Sequence, residues 1–327
     1  MVPDVVAYTV ATVPGLIIIP NALTPSAQCY LAAASLEQWS REPNVSNLHA
    51  HWDVPDHGIW NAAQAQPDQI IPLKTDFPPS APSSRSQPIK DGSLSVAAGY
   101  EASPSPSSVD LTALSCSELM DRMRWSSLGM QYNWSRQEYY TDRVAPIPPL
   151  LVALTRAIVG ATAHLTHYTA DQWRPQGGII NFYGPHDALM AHQDRSEVNM
   201  TAPLVSLSLG QDAVFLMGSQ TREDTPTAFR VRSGDIILFG GPARLNFHGV
   251  PRIMARESVP EHAPRQIKRA FAAQGRQISK QIEQGTDLHM LPFTQPGTIA
   301  SCFSACSQSM QKYLQSHRIN INVRQFQ

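Results

Sequence analysis

Apolar and polar positions alternate differently along the chain, and the texture is most strand-like between Ile179 and Phe239. Ile179-Ile180-Asn181-Phe182-Tyr183 is a strand closed by Gly184-Pro185, and Leu204-Val205-Ser206-Leu207-Ser208-Leu209 alternates large apolar with small polar residues at period two. Ala213 to Met217 and Ile236 to Phe239 predict further strands, with turns at Gly210, Gly218 and Ser233-Gly234-Asp235. Ahead of them, Leu151, Leu154, Ile158, Ala161 and Leu165 recur at spacings of three and four, which predicts an amphipathic helix that begins at Pro148-Pro149 and lies against a sheet. His164 and His167 on it are read as surface or capping residues. Near the start, Val13 to Ile19 predicts a strand. Thr24-Pro25 reads as an N-cap with proline at the first helical position, opening an Ala- and Leu-rich helix to about Ser40. Short strands at regular spacing point to a sandwich or barrel.

Composition divides this pattern. The stretch 77–110 is rich in Ser and Pro and cannot bury enough apolar surface to offset chain entropy, so it is expected to be a disordered linker. Residues 1–76 then form an N-terminal extension packing on the core, and 111–327 the main domain. No apolar run reaches the roughly 18 residues of a membrane span. Met1 to Val13 carries neither a secretory signal nor a mitochondrial presequence, so a nuclear or cytoplasmic location is expected, with the mitochondrion left open. Cys29, Cys116, Cys302 and Cys306 make no disulfide framework or zinc motif, and Cys302 and Cys306 are read as packing residues. The net charge of −1 hides an asymmetry: from Gly241 to Gln327 eleven Lys or Arg face four acidic residues, +7 in all, which would suit a polyanion.

The candidate chemistry lies inside the β-rich region. Residues i and i+2 of a strand share a face, so His192 and Asp194 can grip one ion together. His248 lies far enough along for three or four strands to intervene and can return beside them. Two histidines and one carboxylate leave coordination positions open, as non-haem Fe(II) oxygen chemistry requires. His51-Trp52-Asp53, with Asp56-His57 close by, repeats the spacing without a strand pattern to align it, and is not read as a metal site. Arg124-Trp125 and Tyr132-Asn133-Trp134 could stack a nucleobase or pack in the core, and the second reading is favoured.

Asn181-x-Tyr183, His192-Gln193-Asp194, Ala202 to Gly210, Ser233-Gly234-Asp235, Arg244-Leu245-x-x-His248 and Arg318-x-Asn320-x-x-x-Arg324-Gln325 follow one another as in the AlkB family of Fe(II)/2-oxoglutarate dioxygenases, which the chain resembles. Pro14-Gly15-Leu16-Ile17, Pro43-Asn44-Val45, Leu128-Gly129-x-x-Tyr132-Asn133-Trp134 and Asp194-Arg195-Ser196-Glu197 resemble the branch of the first animal AlkB homologue. The resemblance implies an α+β fold, a double-stranded β-helix (jelly-roll) core with flanking N-terminal helices. It implies Fe(II) held by His192, Asp194 and His248, with O₂ as co-reactant. 2-Oxoglutarate would be bound by Asn181, Tyr183, Arg318, Asn320 and Arg324, with Arg318 on its distal carboxylate. The implied reaction removes N-methyl groups from adenine, in N6-methyladenine DNA or N1-methyladenine tRNA, releasing formaldehyde and succinate. An unpaired or flipped base, and a monomeric enzyme away from membranes, are expected. Tyr132, Trp134, Arg195, Glu197 and Arg244 are candidate substrate contacts. Ser196 stands two residues after Asp194 where bacterial members carry an acid, so their base preference is not carried over. A protein or small-molecule hydroxylase on the same scaffold, and an inactive nucleic-acid-binding module, are the alternatives.

Overall fold

The structure is a computed structural model and describes residues 6–74, 113–133, 138–254 and 307–327. Its strands are β1 Tyr8–Val10, β2 Val13–Ile19, β3 Ile70–Pro72, β4 Ala113–Ser115, β5 Trp125–Asn133, β6 Glu138–Val144, β7 Gly177–Tyr183, β8 Leu189–His192, β9 Leu204–Gly210, β10 Asp212–Met217, β11 Thr227–Val231, β12 Ile236–Phe239, β13 His248–Met254 and β14 Arg318–Arg324. Helices α1 Pro25–Glu37, α2 Ile59–Ala65, α3 Cys116–Met120, α4 Pro149–Ala161, α5 Ala163–Thr166 and α6 Gln308–Leu314 flank them. Eight strands form a major sheet in the order β1-β2-β12-β9-β14-β7-β5-β6, and four form a minor sheet, β11-β10-β13-β8. This is the expected double-stranded β-helix. Four strands, β9 to β12, separate the two histidines in sequence.

Side chains alternate across the major sheet, and the alternation decides what each face does. Val205, Leu207 and Leu209 of β9, Ile319, Ile321 and Val323 of β14, and Ile180 and Phe182 of β7 join one apolar cluster with α1 and α4. Each fully buried aliphatic of this kind contributes about 1.5–3 kcal/mol. The intervening positions face the minor sheet instead. In the outer strands these are apolar, so Leu16, Ile237 and Phe239 pack against Ala213, Phe215 and Met217. In the central strands they are Ser206 and Ser208, Arg318, Asn320 and Arg324, Asn181 and Tyr183, which line a cleft. The period-two pattern of β9 therefore does not mark a solvent face: both its faces are buried.

Several expectations are refined. Residues 1–76 are not merely an extension, because β1 and β2 are strands of the major sheet and β2 pairs with β12 along Leu16–Ile19. The first helix starts as expected, with Thr24 Oγ1 accepting from the Ala27 N–H at 3.2 Å, and ends at Glu37. The Leu151 to Leu165 stripe is broken at Thr162, whose hydroxyl donates to the Ile158 carbonyl, so Leu165 belongs to α5. His167 caps α5 in the left-handed region, φ 55°. β3 and β4 pair, Ile71 opposite Leu114, so the Ser/Pro-rich stretch 77–110, which lies outside the described residues, joins two neighbouring strands. Cys302, Cys306 and Trp134 also lie outside them. No described helix is long and apolar enough to cross a membrane.

Gly15 illustrates how closely β2 is fitted. Its φ is +89°, its carbonyl accepts from the Gly240 N–H at 2.9 Å, and a Cβ there would fall on the Gly240 carbonyl oxygen. Gly15→Ala is expected to cost about 1–3 kcal/mol, combining left-handed strain with displaced backbone. A lowered midpoint in urea unfolding would show it.

Candidate active site

β8 and β13 pair so that His192 and His248 lie directly opposite, with ring centroids 4.4 Å apart. β8 ends at His192, and Asp194 sits two residues beyond the strand. Gln193 between them points away and donates to the Leu245 and Gln220 carbonyls, tying this turn to the loop before β13. Asp194 Oδ2 is 3.6 Å from His248 Nε2 and Oδ1 is 3.9 Å from His192 Nε2. Among the described residues this is the one cluster of His, Cys and carboxylate groups with the geometry to hold a metal. His51, Asp53 and His57 form no such set.

The donor atoms suit Fe(II). His192 Nδ1–H donates to the Met190 carbonyl at 2.9 Å and His248 Nδ1–H to the Asn246 carbonyl at 3.1 Å. A carbonyl can only accept, so both Nδ1 atoms carry hydrogens, and each Nε2, turned toward Asp194, is the atom that would bind an ion. Burial, reinforced by the neighbouring His248, presses the His192 pKa down to about 4, so its imidazole is neutral at pH 7. Burial alone would raise Asp194, but Arg324, His248 and His192 outweigh it and hold its carboxyl well below the usual range. The rings of Phe239 and Phe215, 5.1 and 6.0 Å from that of His248, shield it.

Opposite the triad, the polar face of β14 forms the other wall. Its register places Arg318 beside Tyr183 and Gly210, and Asn320 beside Asn181 and Ser208. Arg318 Nη2 donates to Ser208 Oγ at 2.8 Å and Nη1 to the Gln211 carbonyl at 3.1 Å, while its buried Nε has no hydrogen-bond partner. No described carboxylate pairs with this guanidinium, although only 3% of the residue is exposed. A buried, unpaired cation is costly, and a dicarboxylate would offset that cost. Asn320 Nδ2 donates to Ser206 Oγ at 2.9 Å. The residues present therefore fit both iron and 2-oxoglutarate.

The cleft between these walls has a volume of about 400 Å³. Its lining sorts the candidate substrate contacts. Tyr132 lines it, its hydroxyl 2.9 Å from Ser196 Oγ. Arg195 is exposed and outside the lining. Glu197 and Arg244 are buried, bound to each other at 2.7 Å, and do not face the cleft. A charged residue after Asp194 looked available to substrate only because its partner, 47 residues away, is not visible in a linear motif. Similarly, Arg244, Arg318 and Arg324, three of the eleven cations behind the +7 of the C-terminal third, are buried and add nothing to a surface patch. Arg256 to Lys280 lie outside the described residues.

Sequence reasoning underrated the mouth of the cleft. Arg124 and Trp125, assigned to packing, line it together with His51 and Asn47. The 3₁₀ turn Asn47–Ala50 is held there because Asn47 Oδ1 accepts from the backbone N–H groups of Arg124 and Trp125 at 2.8 and 3.2 Å. Arg124 also pairs with Asp187 at 3.4 Å. The signal in the sequence was the cation beside an aromatic residue, but nothing local says which way a strand's side chains turn.

Comparison with known proteins agrees with this geometry. The 2OG-Fe(II) oxygenase superfamily matches residues 101–324. The chain is 30% identical over 249 residues to the mouse nucleic acid dioxygenase ALKBH1, covering 76% of this chain and 52% of that protein. It is 32% identical over 251 residues to the Arabidopsis thaliana DNA N(6)-methyladenine demethylase ALKBH1A, covering 75% and 65%. With the alpha-ketoglutarate-dependent dioxygenase AlkB homolog of Caulobacter vibrioides it shares 33% identity over 173 residues, 50% of this chain and 71% of the other. The chain thus spans between half and two thirds of the length of the mouse and plant relatives. With the facing triad and arginine wall, these matches show that the chain belongs to the 2OG-Fe(II) oxygenase superfamily and, within it, to the AlkB homologues.

Proposed function

We propose that the protein is an Fe(II)- and 2-oxoglutarate-dependent demethylase of nucleic acid that removes N-methyl groups from adenine. The observation that carries this reading is the placement of the His192–Asp194–His248 triad and of Arg318, which forms no ion pair among the described residues, on opposite walls of one cleft. Similarity to proteins named as a DNA N(6)-methyladenine demethylase and, in Schizosaccharomyces pombe, a tRNA demethylase supports adenine in DNA or tRNA as the substrate class.

Iron and 2-oxoglutarate, once bound, supply oxygen activation driven by loss of CO₂. The chain's own residues bind, orient and shield. His192 and His248 would offer their Nε2 atoms and Asp194 a carboxylate oxygen to the metal; Arg318 would meet a carboxylate with its planar fork, and Asn320 and Ser208 help fix its surroundings. Phe215 and Phe239 exclude water beside His248. Trp125 and Tyr132 in the cleft lining give a methylated base flat surfaces to rest against. The triad side chains are only 8–15% exposed, so a base stacked in a duplex does not reach them and an unpaired or flipped one is required. A monomer in the nucleus, the cytoplasm or the mitochondrion would meet such a substrate.

Formaldehyde should appear from N6-methyladenine DNA or N1-methyladenine tRNA oligonucleotides only when Fe(II) and 2-oxoglutarate are both present. Succinate formed with a peptide or small molecule, but with no methylated oligonucleotide, would replace this reading by that of a hydroxylase.

A further inference from the structure

Behind the triad, three charged side chains, Glu197, Arg244 and Arg324, form a group of four with the metal-ligating aspartate. Glu197, with a fully buried side chain, accepts from two guanidinium groups at once: Arg244 Nη2 reaches Oε2 at 2.7 Å and Arg324 Nη1 reaches Oε1 at 3.1 Å. Each arginine then turns its other terminal nitrogen to Asp194. Arg324 Nη2 donates to Oδ1 at 3.0 Å, and Arg244 Nη1 donates to the backbone carbonyl. One oxygen of the carboxylate is therefore engaged, and Oδ2 faces His248 Nε2.

Burying four charges is poor economy for stability, since apolar residues of similar volume do as well or better. What the arrangement does supply is control over Arg324. A guanidinium beside a carboxylate favours the bidentate fork, in which both oxygens are taken. Here Nη1 is occupied by Glu197, so the end-on fork through both terminal nitrogens is not made to Asp194, and Nε makes no hydrogen bond to it either. Glu197 also balances the charge: two carboxylates meet two guanidinium groups, so Asp194 does not face both cations alone.

We propose that Glu197, backed by Arg244, is a positioning residue for the metal. By occupying one nitrogen of Arg324 it holds that arginine on Oδ1 of Asp194 and keeps Oδ2 for the ion, and its charge keeps Arg244 and Arg324 from standing beside Asp194 as two unbalanced cations. The proposal rests on the triad being the metal site, and not on nucleic acid being the substrate.

The test uses Co(II) as a redox-silent probe, titrated into the whole protein and followed by its visible absorption, without 2-oxoglutarate, oxygen or nucleic acid. Glu197→Gln is expected to weaken Co(II) binding about 10–100-fold, the range for partners that orient a ligand. Arg244→Lys, which keeps the charge without the fork, should weaken it less. The double variant E197Q/R244Q again sets one cation against Asp194 and should recover part of the loss. Circular dichroism establishes which variants fold. A purely structural pair would lower the melting temperature and leave Co(II) affinity of the folded protein unchanged. Wild-type affinity in whichever single variant folds overturns the proposal, as does a double variant that binds Co(II) no better than E197Q. Normal Co(II) binding by the wild type without turnover on methylated oligonucleotides would overturn the demethylase reading alone.

Discussion

His192→Ala is expected to abolish turnover while leaving the fold in place. His192 closes β8, an edge strand of the minor sheet, and its ring packs against His248 and belongs to neither apolar cluster, so its removal takes little from them. The metal site, by contrast, loses one of three ligands. Partners that merely orient ligands cost 10–100-fold when removed, and loss of a ligand itself should exceed that, so a fall beyond about 1000-fold, or 4 kcal/mol, is expected. Formaldehyde release measured beside the unfolding midpoint separates the two effects. Substantial turnover in a well-folded His192→Ala protein would show that the triad does not hold the reacting metal.

Arg318→Met should have the next largest effect, with a distinctive sign on stability. Truncating one member of a buried charge pair costs about 2–5 kcal/mol, so the apparent affinity for 2-oxoglutarate should fall roughly 30-fold to several thousand-fold. Without cosubstrate the guanidinium is buried and has no described carboxylate partner, and burial already presses its pKa downward. Replacing it with an apolar side chain of similar reach should leave the melting temperature of the cosubstrate-free protein unchanged or raise it. The wild type should gain stability as 2-oxoglutarate is added, and the variant should not. A variant that is strongly destabilised without cosubstrate, yet still stabilised by it, would make Arg318 a structural residue.

The triad was legible because His192, Asp194 and His248 combine a local spacing with residue types whose chemistry is narrow. The arginine wall was legible through the resemblance carried by Arg318-x-Asn320-x-x-x-Arg324, and β14 then turns those side chains to one face and Ile319, Ile321 and Val323 to the other. What could not be read were partners across long separations. Glu197 and Arg244 looked like substrate contacts because the bonds that bury them span 47 residues and reach a third group 127 residues from Glu197. β8 and β13 were missed for another reason: one has four residues, and the other carries Gly249 and Pro251 beside a register shift, so neither shows clean alternation. Trp125 was assigned to the core because an aromatic residue that lines a cleft and one that fills a core have the same local signature.

β14 carries Arg318 at one end and Arg324 at the other, and lies between β7 and β9 in unbroken register. Six residues of strand separate them, about 20 Å of backbone. The spacing of the backbone positions that carry the group for a dicarboxylate and the group that steadies the metal aspartate is thus set by the strand's covalent geometry. A slip of one residue would turn Ile319 and Ile321 into the cleft and both arginines into the apolar core. The strand therefore has no intermediate setting, and the two halves of the site keep their spacing or are lost together.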